Sequence, residues 1–140
     1  FSKIHGLAGL RVGYGLGHPE VIGLLNRVRQ PFNVNSIAQV AALAALHDQA
    51  HIEASRRLNH DGMAQMSAGL RALGLEAIPS VGNFVCIDMG RTAREVDAAL
   101  LRSGVITRPV ANYGLPNHLR VTVGLEAENR RFLQSLGALL

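Results

Sequence analysis

An alanine- and leucine-rich stretch, from residue 37 to about residue 73, most constrains the fold of this chain. The whole stretch is compatible with helix. Ser36 precedes it as a strong N-cap residue, and Gly74 follows it as a C′ residue. The sequence therefore predicts one unusually long helix in the middle of the chain, with a kink near Asp61 and Gly62.

Shorter elements flank this stretch. On its N-terminal side, residues 12–16 are predicted to form a short strand, and Pro19 is predicted to begin a helix that ends before Pro31. On its C-terminal side, the pattern predicts strands over 75–79 and 83–88, a helix over 95–102, strands over 105–110 and 119–123, and a terminal helix over 126–140. This β-β-α-β-β-α order predicts a sheet covered by helices.

Composition excludes several classes of protein. With 140 residues, 48% of them hydrophobic, the chain is large enough for one domain with a proper core. The net charge of +4 raises the possibility of nucleic-acid binding, but the arginines are scattered and only 4% of residues are aromatic, so we expect none. The one cysteine, Cys86, lies in an apolar run and is interpreted as a core residue.

The apolar runs also bear on location. No run reaches the ~18 residues of a transmembrane helix, and we expect no signal peptide. The sequence therefore predicts no membrane partner, and the cytoplasm is the default compartment.

The segment whose side chains are best suited to cofactor chemistry contains the chain's only lysine, Lys3, with Ser2 before it and Arg11 after it. A hydroxyl and a bidentate guanidinium can hold a phosphate, while the lysine amine can form a Schiff base with an aldehyde. Glycines between them allow close approach of the backbone. On spacing alone, a solvated lysine before a Gly-rich turn is the favoured interpretation of the segment.

The segment reads SKIHGLAGLRVGY over residues 2–14. It resembles the cofactor-lysine segment of fold type I, pyridoxal-phosphate-dependent aminotransferases of class I and II. Within that family it is most similar to the histidinol-phosphate aminotransferases. The resemblance covers nearly the whole chain through further landmarks, which are PFNVNS at 31–36, AQ at 38–39, GNFV at 82–85 and LRVTVG at 119–124.

The resemblance implies an α/β architecture in three parts. Residues 1–45 would be the C-terminal end of the large cofactor-binding domain, residues 46–74 a connecting helix, and residues 75–140 a small α/β C-terminal domain. It further implies a polypeptide more than twice as long, of which this chain would be the C-terminal portion, and a homodimer.

The implied activity is transfer of an amino group between histidinol phosphate and 2-oxoglutarate, with glutamate as the other amino acid and pyridoxal phosphate as cofactor. By resemblance, Lys3 is the catalytic, cofactor-bearing lysine, and Ser2 and Arg11 bind the cofactor phosphate. The alternatives are a surface ion pair for Arg11 and a turn cap for Ser2. Other implied functions are an aromatic amino-acid aminotransferase, a related phosphate-substrate lyase or decarboxylase, or a non-catalytic fragment if the 140 residues stand alone.

The resemblance also implies substrate-binding residues. Arg120 would bind the anionic end of the substrate, Arg108 on a neighbouring strand would help to receive a phosphate, and Asn83 would face the substrate. A solvated arginine and a turn asparagine are the simpler alternatives. Asn35 and Ser36 would lie in a loop that approaches the active site near the dimer interface, or would only cap the following helix.

A pair of histidines offers a competing metal site. His47 and His51 stand four residues apart, the spacing of a zinc-binding helix, with Asp48 where zinc proteases have glutamate. No downstream ligand completes that pattern, so we interpret both histidines as solvated and expect no metal. The glycines at 13, 15 and 17 match neither phosphate-binding fingerprint.

Overall fold

A computed structural model describes residues 1–140. Its helices and strands, in chain order, are α1 (Pro19–Val28), α2 (Ser36–His47), α3 (Gln49–Ala72), β1 (Glu76–Ile78), β2 (Phe84–Asp88), α4 (Ala93–Arg102), β3 (Arg108–Val110), β4 (Leu115–Thr122) and α5 (Glu126–Gly137), with short 3₁₀ helices at Ala8–Leu10 and Ala111–Tyr113. The chain forms two units, Phe1–Arg56 and Arg57–Leu140. The α/β class predicted from the sequence is confirmed.

The first two helices, α1 and α2, begin at residues that suit a helix start. α1 begins with Pro19 in its first turn, as predicted, because its fixed φ suits that position. The cap of α2 differs from the prediction: Asn35, and not Ser36, is the N-cap residue, and Asn35 Oδ1 accepts a hydrogen bond of 2.8 Å from the Ala38 amide. Ser36 is the first residue of the helix itself.

The predicted single long helix is wrong. α2 ends at His47, Asp48 leaves the helical conformation with φ −88° and ψ 70°, and α3 begins at Gln49. Asp48 Oδ1 accepts a hydrogen bond of 3.0 Å from the His51 amide, so its carboxylate caps the new helix. The break therefore falls at Asp48, because a short carboxylate there competes for backbone amides, and α3 runs without interruption past Asp61 and Gly62.

The predicted strand over residues 12–16 is also wrong, since these residues form no regular element. A strand needs a hydrogen-bonded neighbour, and all four strands of the chain belong to one sheet in the second unit. Gly13 and Gly15 further weaken the tendency of the segment to form a strand.

The second unit is built on an antiparallel sheet with the strand order β1-β2-β4-β3. The predicted β-β-α-β-β-α order is confirmed. β3 is shorter than predicted because the Val105 amide donates to the Leu100 carbonyl at the end of α4, which removes it from strand pairing. Pro109, which cannot donate, is tolerated because β3 is an edge strand.

Alternation along the two central strands separates the two faces of the sheet. Val85 and Ile87 of β2 and Leu119 and Val121 of β4 are buried on one face. They form a single core with buried residues of the three helices, which are Met66 and Leu70 of α3, Val96 and Leu100 of α4, and Phe132 and Leu136 of α5. The intervening residues of β2 and β4 lie on the opposite face.

A close approach of α3 to the β4–α5 corner fixes that core. Asn129 is 2% exposed, and its Oδ1 accepts a hydrogen bond of 2.9 Å from the Gly124 amide. Its Nδ2 donates to Gly124 O at 3.1 Å and to Gln65 Oε1 at 3.0 Å. At Gly62 there is no room for a side chain, because a Cβ would lie 2.5 Å from Val123 Cγ1.

Candidate functional site

The Lys3 segment of the first unit is a compact turn. The Gly6 amide donates to Lys3 O at 2.9 Å, and the Leu7 amide donates to Phe1 O at 3.1 Å. Gly6 has a φ of 68°, a conformation that glycine adopts without steric cost. The Lys3 side chain is exposed at this turn, so its amine is accessible.

A histidine of α3 contacts this turn. His51 Nε2 lies 2.9 Å from the carbonyl oxygen of Ile4, the residue next to Lys3. His51 was predicted to be a solvated histidine; its side chain is exposed, and it also makes this one hydrogen bond. The zinc-helix alternative also loses its geometry, because the break at Asp48 places His47 and His51 in different helices.

The two predicted phosphate ligands lie in the same segment as Lys3. Ser2 is half-buried, and Arg11 is exposed at the end of the 3₁₀ helix Ala8–Leu10. Arg11 has a φ of 53°, which is rare for a residue with a side chain, and its Nη1 donates to Ala8 O at 2.6 Å. This bond uses one of the five guanidinium N–H groups and leaves the others for an anion.

In the second unit, the sheet brings Arg108 and Arg120 together. Arg120 of β4 is directly opposite Arg108 of β3 on one side and Cys86 of β2 on the other. Directly opposite residues point to the same face of a sheet, with Cα atoms about 5 Å apart. All three side chains therefore lie on the face opposite the core.

Neither of these arginines has a carboxylate partner. The ion pairs of the chain are His18–Glu20, Glu53–Arg56, His60–Asp61 and Glu126–Arg130. Two like charges on adjacent strands repel each other unless an anion lies between them or beside them. The pair thus has the chemistry of an anion-binding site, and a bidentate guanidinium suits a phosphate or a carboxylate.

An aromatic ring supports Arg120. Its guanidinium carbon lies 4.8 Å from the centroid of the Phe84 ring, which is a cation–π contact. The neighbouring Cys86 is half-buried. Burial raises the pKa of the Cys86 thiol, and the positive charge of Arg120 partly offsets that increase.

The remaining predicted residues occupy two different places. Asn83 is exposed in the turn that leads into β2, and Asn59 Nδ2 of α3 donates to the preceding Gly82 carbonyl at 3.1 Å. Asn35 and Ser36 lie at the start of α2, where Asn35 has the capping role that the sequence analysis left open. Asn59 and Phe84 were not predicted to support the site, and His51 was considered only as a metal ligand or a solvated histidine, since each acts through one contact distant in sequence.

With this geometry established, comparison with known proteins identifies the family. Residues 1–136 match the family described as Aminotransferase class I and II. This chain belongs to that family. The family resemblance found in the sequence is therefore confirmed.

The relatives of this aminotransferase chain include a histidinol-phosphate aminotransferase 2 of Pseudomonas fluorescens (strain Pf0-1), which is 63% identical over the whole chain. The chain spans 38% of the length of that relative.

Solved structures give the same family. The histidinol-phosphate aminotransferase of Sinorhizobium meliloti, in complex with pyridoxal-5'-phosphate, aligns with a TM-score of 0.86 and 29% identity, over all of this chain and 40% of the other. The aspartate aminotransferase of Thermus thermophilus with maleate also aligns with a TM-score of 0.86, at 28% identity, over 99% of this chain and 39% of the other. Backbone similarity therefore does not distinguish substrates.

Two further observations concern metals and membranes. No three His, Cys, Asp or Glu side chains form a cluster that could hold a metal ion. No helix has both the length and the apolar composition required to cross a membrane.

Proposed function

We propose that the full-length protein containing this chain is a histidinol-phosphate aminotransferase. It would transfer an amino group between histidinol phosphate and 2-oxoglutarate, with pyridoxal phosphate as cofactor. The observation that carries the proposal is the pair of uncompensated arginines, Arg108 and Arg120, on one sheet face. The 63% identity to a histidinol-phosphate aminotransferase of P. fluorescens supports the same substrate.

The residues of the first unit fit the cofactor. The Lys3 amine is exposed, the Arg11 guanidinium retains free donors, and a Cβ at Gly6 or Gly9 would meet nothing within 4 Å, so the backbone is open to a ligand. When bound, pyridoxal phosphate supplies an electron-poor ring that accepts negative charge from the substrate Cα. We infer that Ser2 and Arg11 hold its phosphate.

Lys3 would have two tasks in this mechanism. Its amine would hold the cofactor between turnovers, and the same amine, once free, would move a proton between the substrate Cα and the cofactor C4′.

Arg120 and Arg108 would divide the work of substrate binding. Arg120, half-buried and supported by Phe84, would bind the anionic end of the substrate through two parallel hydrogen bonds. The exposed Arg108 would add a second positive charge, which a phosphate dianion uses better than a carboxylate. Asn83 would contact the substrate from the turn before β2.

The remaining parts of the proposal concern assembly. We place the loop of Asn35 and Ser36 near the interface of a homodimer. The division into a large-domain end (1–45), a connecting helix (46–74) and a small domain (75–140) stays a prediction, as does the cytoplasmic location. Because the chain spans 38% of its P. fluorescens relative, the activity is proposed for the full-length protein alone.

Substrate discrimination tests the proposal. In the full-length protein, Arg108→Ala should lower kcat/KM for histidinol phosphate about 10- to 100-fold, the value of one or two charged hydrogen bonds. The kcat/KM for phenylalanine should change little, since that substrate has no phosphate. Arg102→Ala, at the exposed end of α4, serves as the matched control.

Two results would contradict the proposal. One is an equal loss of kcat/KM for both amino donors in Arg108→Ala, which would remove the role in phosphate recognition. The other is a wild-type enzyme that prefers phenylalanine, which would favour an aromatic amino-acid aminotransferase.

A further inference from the structure

We propose that His51 is a positioning residue that holds the backbone of the Lys3 turn. This inference rests on the proposed function in one respect, namely that Lys3 bears the cofactor. The contact itself is independent of that function, because it lies entirely within Phe1–Arg56.

The chemistry of the contact fixes which imidazole nitrogen of His51 donates. Ile4 O is a carbonyl oxygen and can only accept, so at 2.9 Å the His51 Nε2 must carry a hydrogen and donate. Ser55 Oγ lies 3.5 Å from the same nitrogen, at the limit of hydrogen bonding. Nε2 is therefore the donor atom, whether the ring is neutral or charged.

The bond matters because the rest of the turn is held only locally. The other hydrogen bonds of residues 1–11 connect Gly6 to Lys3, Leu7 to Phe1, Leu10 to Leu7 and Arg11 to Ala8. The bond from His51 reaches across 47 positions and joins the turn to a helix of 24 residues. It thus anchors Ile4, the residue next to Lys3, to α3.

The break between α2 and α3 contributes directly to this arrangement. Asp48 caps α3 through the backbone amide of His51 itself, at 3.0 Å. The cap therefore fixes the backbone of His51, whose side chain donates to the turn. A continuous helix would have no such cap, and the carboxylate at Asp48 explains why the helix restarts at Gln49, two residues before His51.

The position of Lys3 would affect the reaction rate, because its amine would move a proton between two atoms, the substrate Cα and the cofactor C4′. Proton transfer requires the amine within hydrogen-bond reach of both, and small displacements lower the rate steeply. Loss of the bond from His51 to the Ile4 carbonyl keeps the Lys3 amine but makes the backbone of the turn more mobile. The expected loss therefore falls on kcat more than on KM.

Hydrogen exchange in cofactor-free, full-length protein tests the contact directly. His51→Ala should raise the exchange rates of the Gly6 and Leu7 amides about two- to tenfold, the value of one net hydrogen bond. His51→Gln keeps an N–H donor and should restore slow exchange. His60→Ala, on the exposed surface of α3 and paired only with Asp61, should leave both amides unchanged.

The loaded enzyme supplies the second readout. His51→Ala should lower kcat with little change in KM and should shift the pH midpoint of the cofactor's visible absorbance, whereas His51→Gln should recover both. Unchanged Gly6 and Leu7 exchange in His51→Ala, or an equal rise in His60→Ala, overturns the proposal. A protein with the expected exchange but no aminotransferase activity would instead overturn the proposed function.

Discussion

At the scale of single residues, the environment of Arg120 combines charge with an aromatic surface. The guanidinium has Phe84 on one side, Arg108 across the sheet and no carboxylate partner. An aromatic ring orients a guanidinium without neutralising it, because the attraction comes from the quadrupole of the ring. Phe84 therefore keeps Arg120 in place and leaves its full charge for a ligand.

Removal of the ring should weaken anion binding. Phe84→Leu keeps an apolar side chain but loses the cation–π contact of about 0.5–1 kcal/mol, so KM for the anionic substrate should rise roughly two- to fivefold. Phe84→Tyr retains the ring and is the control. Steady-state kinetics of the full-length protein measure both variants, and an equal KM in all three proteins would show that the ring does not orient Arg120.

The thiol of Cys86 reports on the same charge. Burial raises its pKa and Arg120 lowers it, so the thiolate fraction at a given pH depends on the arginine. Arg120→Met should raise the pKa of Cys86 further and move the pH midpoint of its alkylation to higher pH. Arg108→Met, one strand further from Cys86, is the matched control and should move it less.

Alkylation of the Cys86-containing peptide by iodoacetamide, followed by mass spectrometry across a pH series, gives this midpoint. Access to the thiol changes the maximal rate, whereas charge changes the midpoint, so the two effects are separable. A midpoint that moves to lower pH in Arg120→Met would contradict the assigned sign.

At the scale of elements, α3 depends on glycine where it meets the β4–α5 corner. A Cβ at Gly62 would lie 2.5 Å from Val123 Cγ1 and 3.0 Å from Asn129 Nδ2. Val123 and Asn129 are both buried, with 7% and 2% of their surfaces exposed, so neither can move away freely. Helix propensity alone would favour alanine at this position, and packing reverses that preference.

Substitution of this glycine should therefore destabilise the protein. Gly62→Ala should lower the free energy of unfolding by about 1–3 kcal/mol, the usual cost of overpacking. Gly23→Ala in α1 is the control, because a Cβ there meets nothing within 4 Å and should be neutral or stabilising by up to about 1 kcal/mol. Urea denaturation followed by circular dichroism distinguishes the two, and equal effects would contradict the close approach.

The elements also show what sequence can predict. The alternation in β2 and β4 and the glycines at 74 and 104, both with positive φ, allowed the order of strands and helices in the second unit to be predicted. The α2–α3 break escaped prediction because the alanine, leucine and glutamine residues around it favour helix. One carboxylate, Asp48, made the difference through a backbone bond that has no periodic signal.

Prediction of the candidate site had a similar limit. Arg108 and Arg120 were expected on neighbouring strands, and the register places them directly opposite each other. His51 was not expected to contact Ile4, because a bond across 47 positions depends on tertiary structure. Residue types thus indicate the chemistry, whereas the supporting contacts require the fold.

At the scale of the whole molecule, the chain has one lysine, Lys3, and this residue has the central task in the proposed function. Family membership rests on residues 1–136. The chain spans 38% of the length of its P. fluorescens relative, and the proposed activity belongs to the full-length protein. The proposed activity therefore depends on one claim, that Lys3 bears the cofactor in the full-length protein.

Borohydride reduction tests this claim most directly. The purified full-length protein, loaded with pyridoxal phosphate, is reduced, digested and mapped by mass spectrometry, with the Lys3→Ala variant as control. We predict a phosphopyridoxyl group on Lys3 in the wild-type protein and none on this segment in the variant. A wild-type protein that carries the group on another lysine, or on none, would contradict the account.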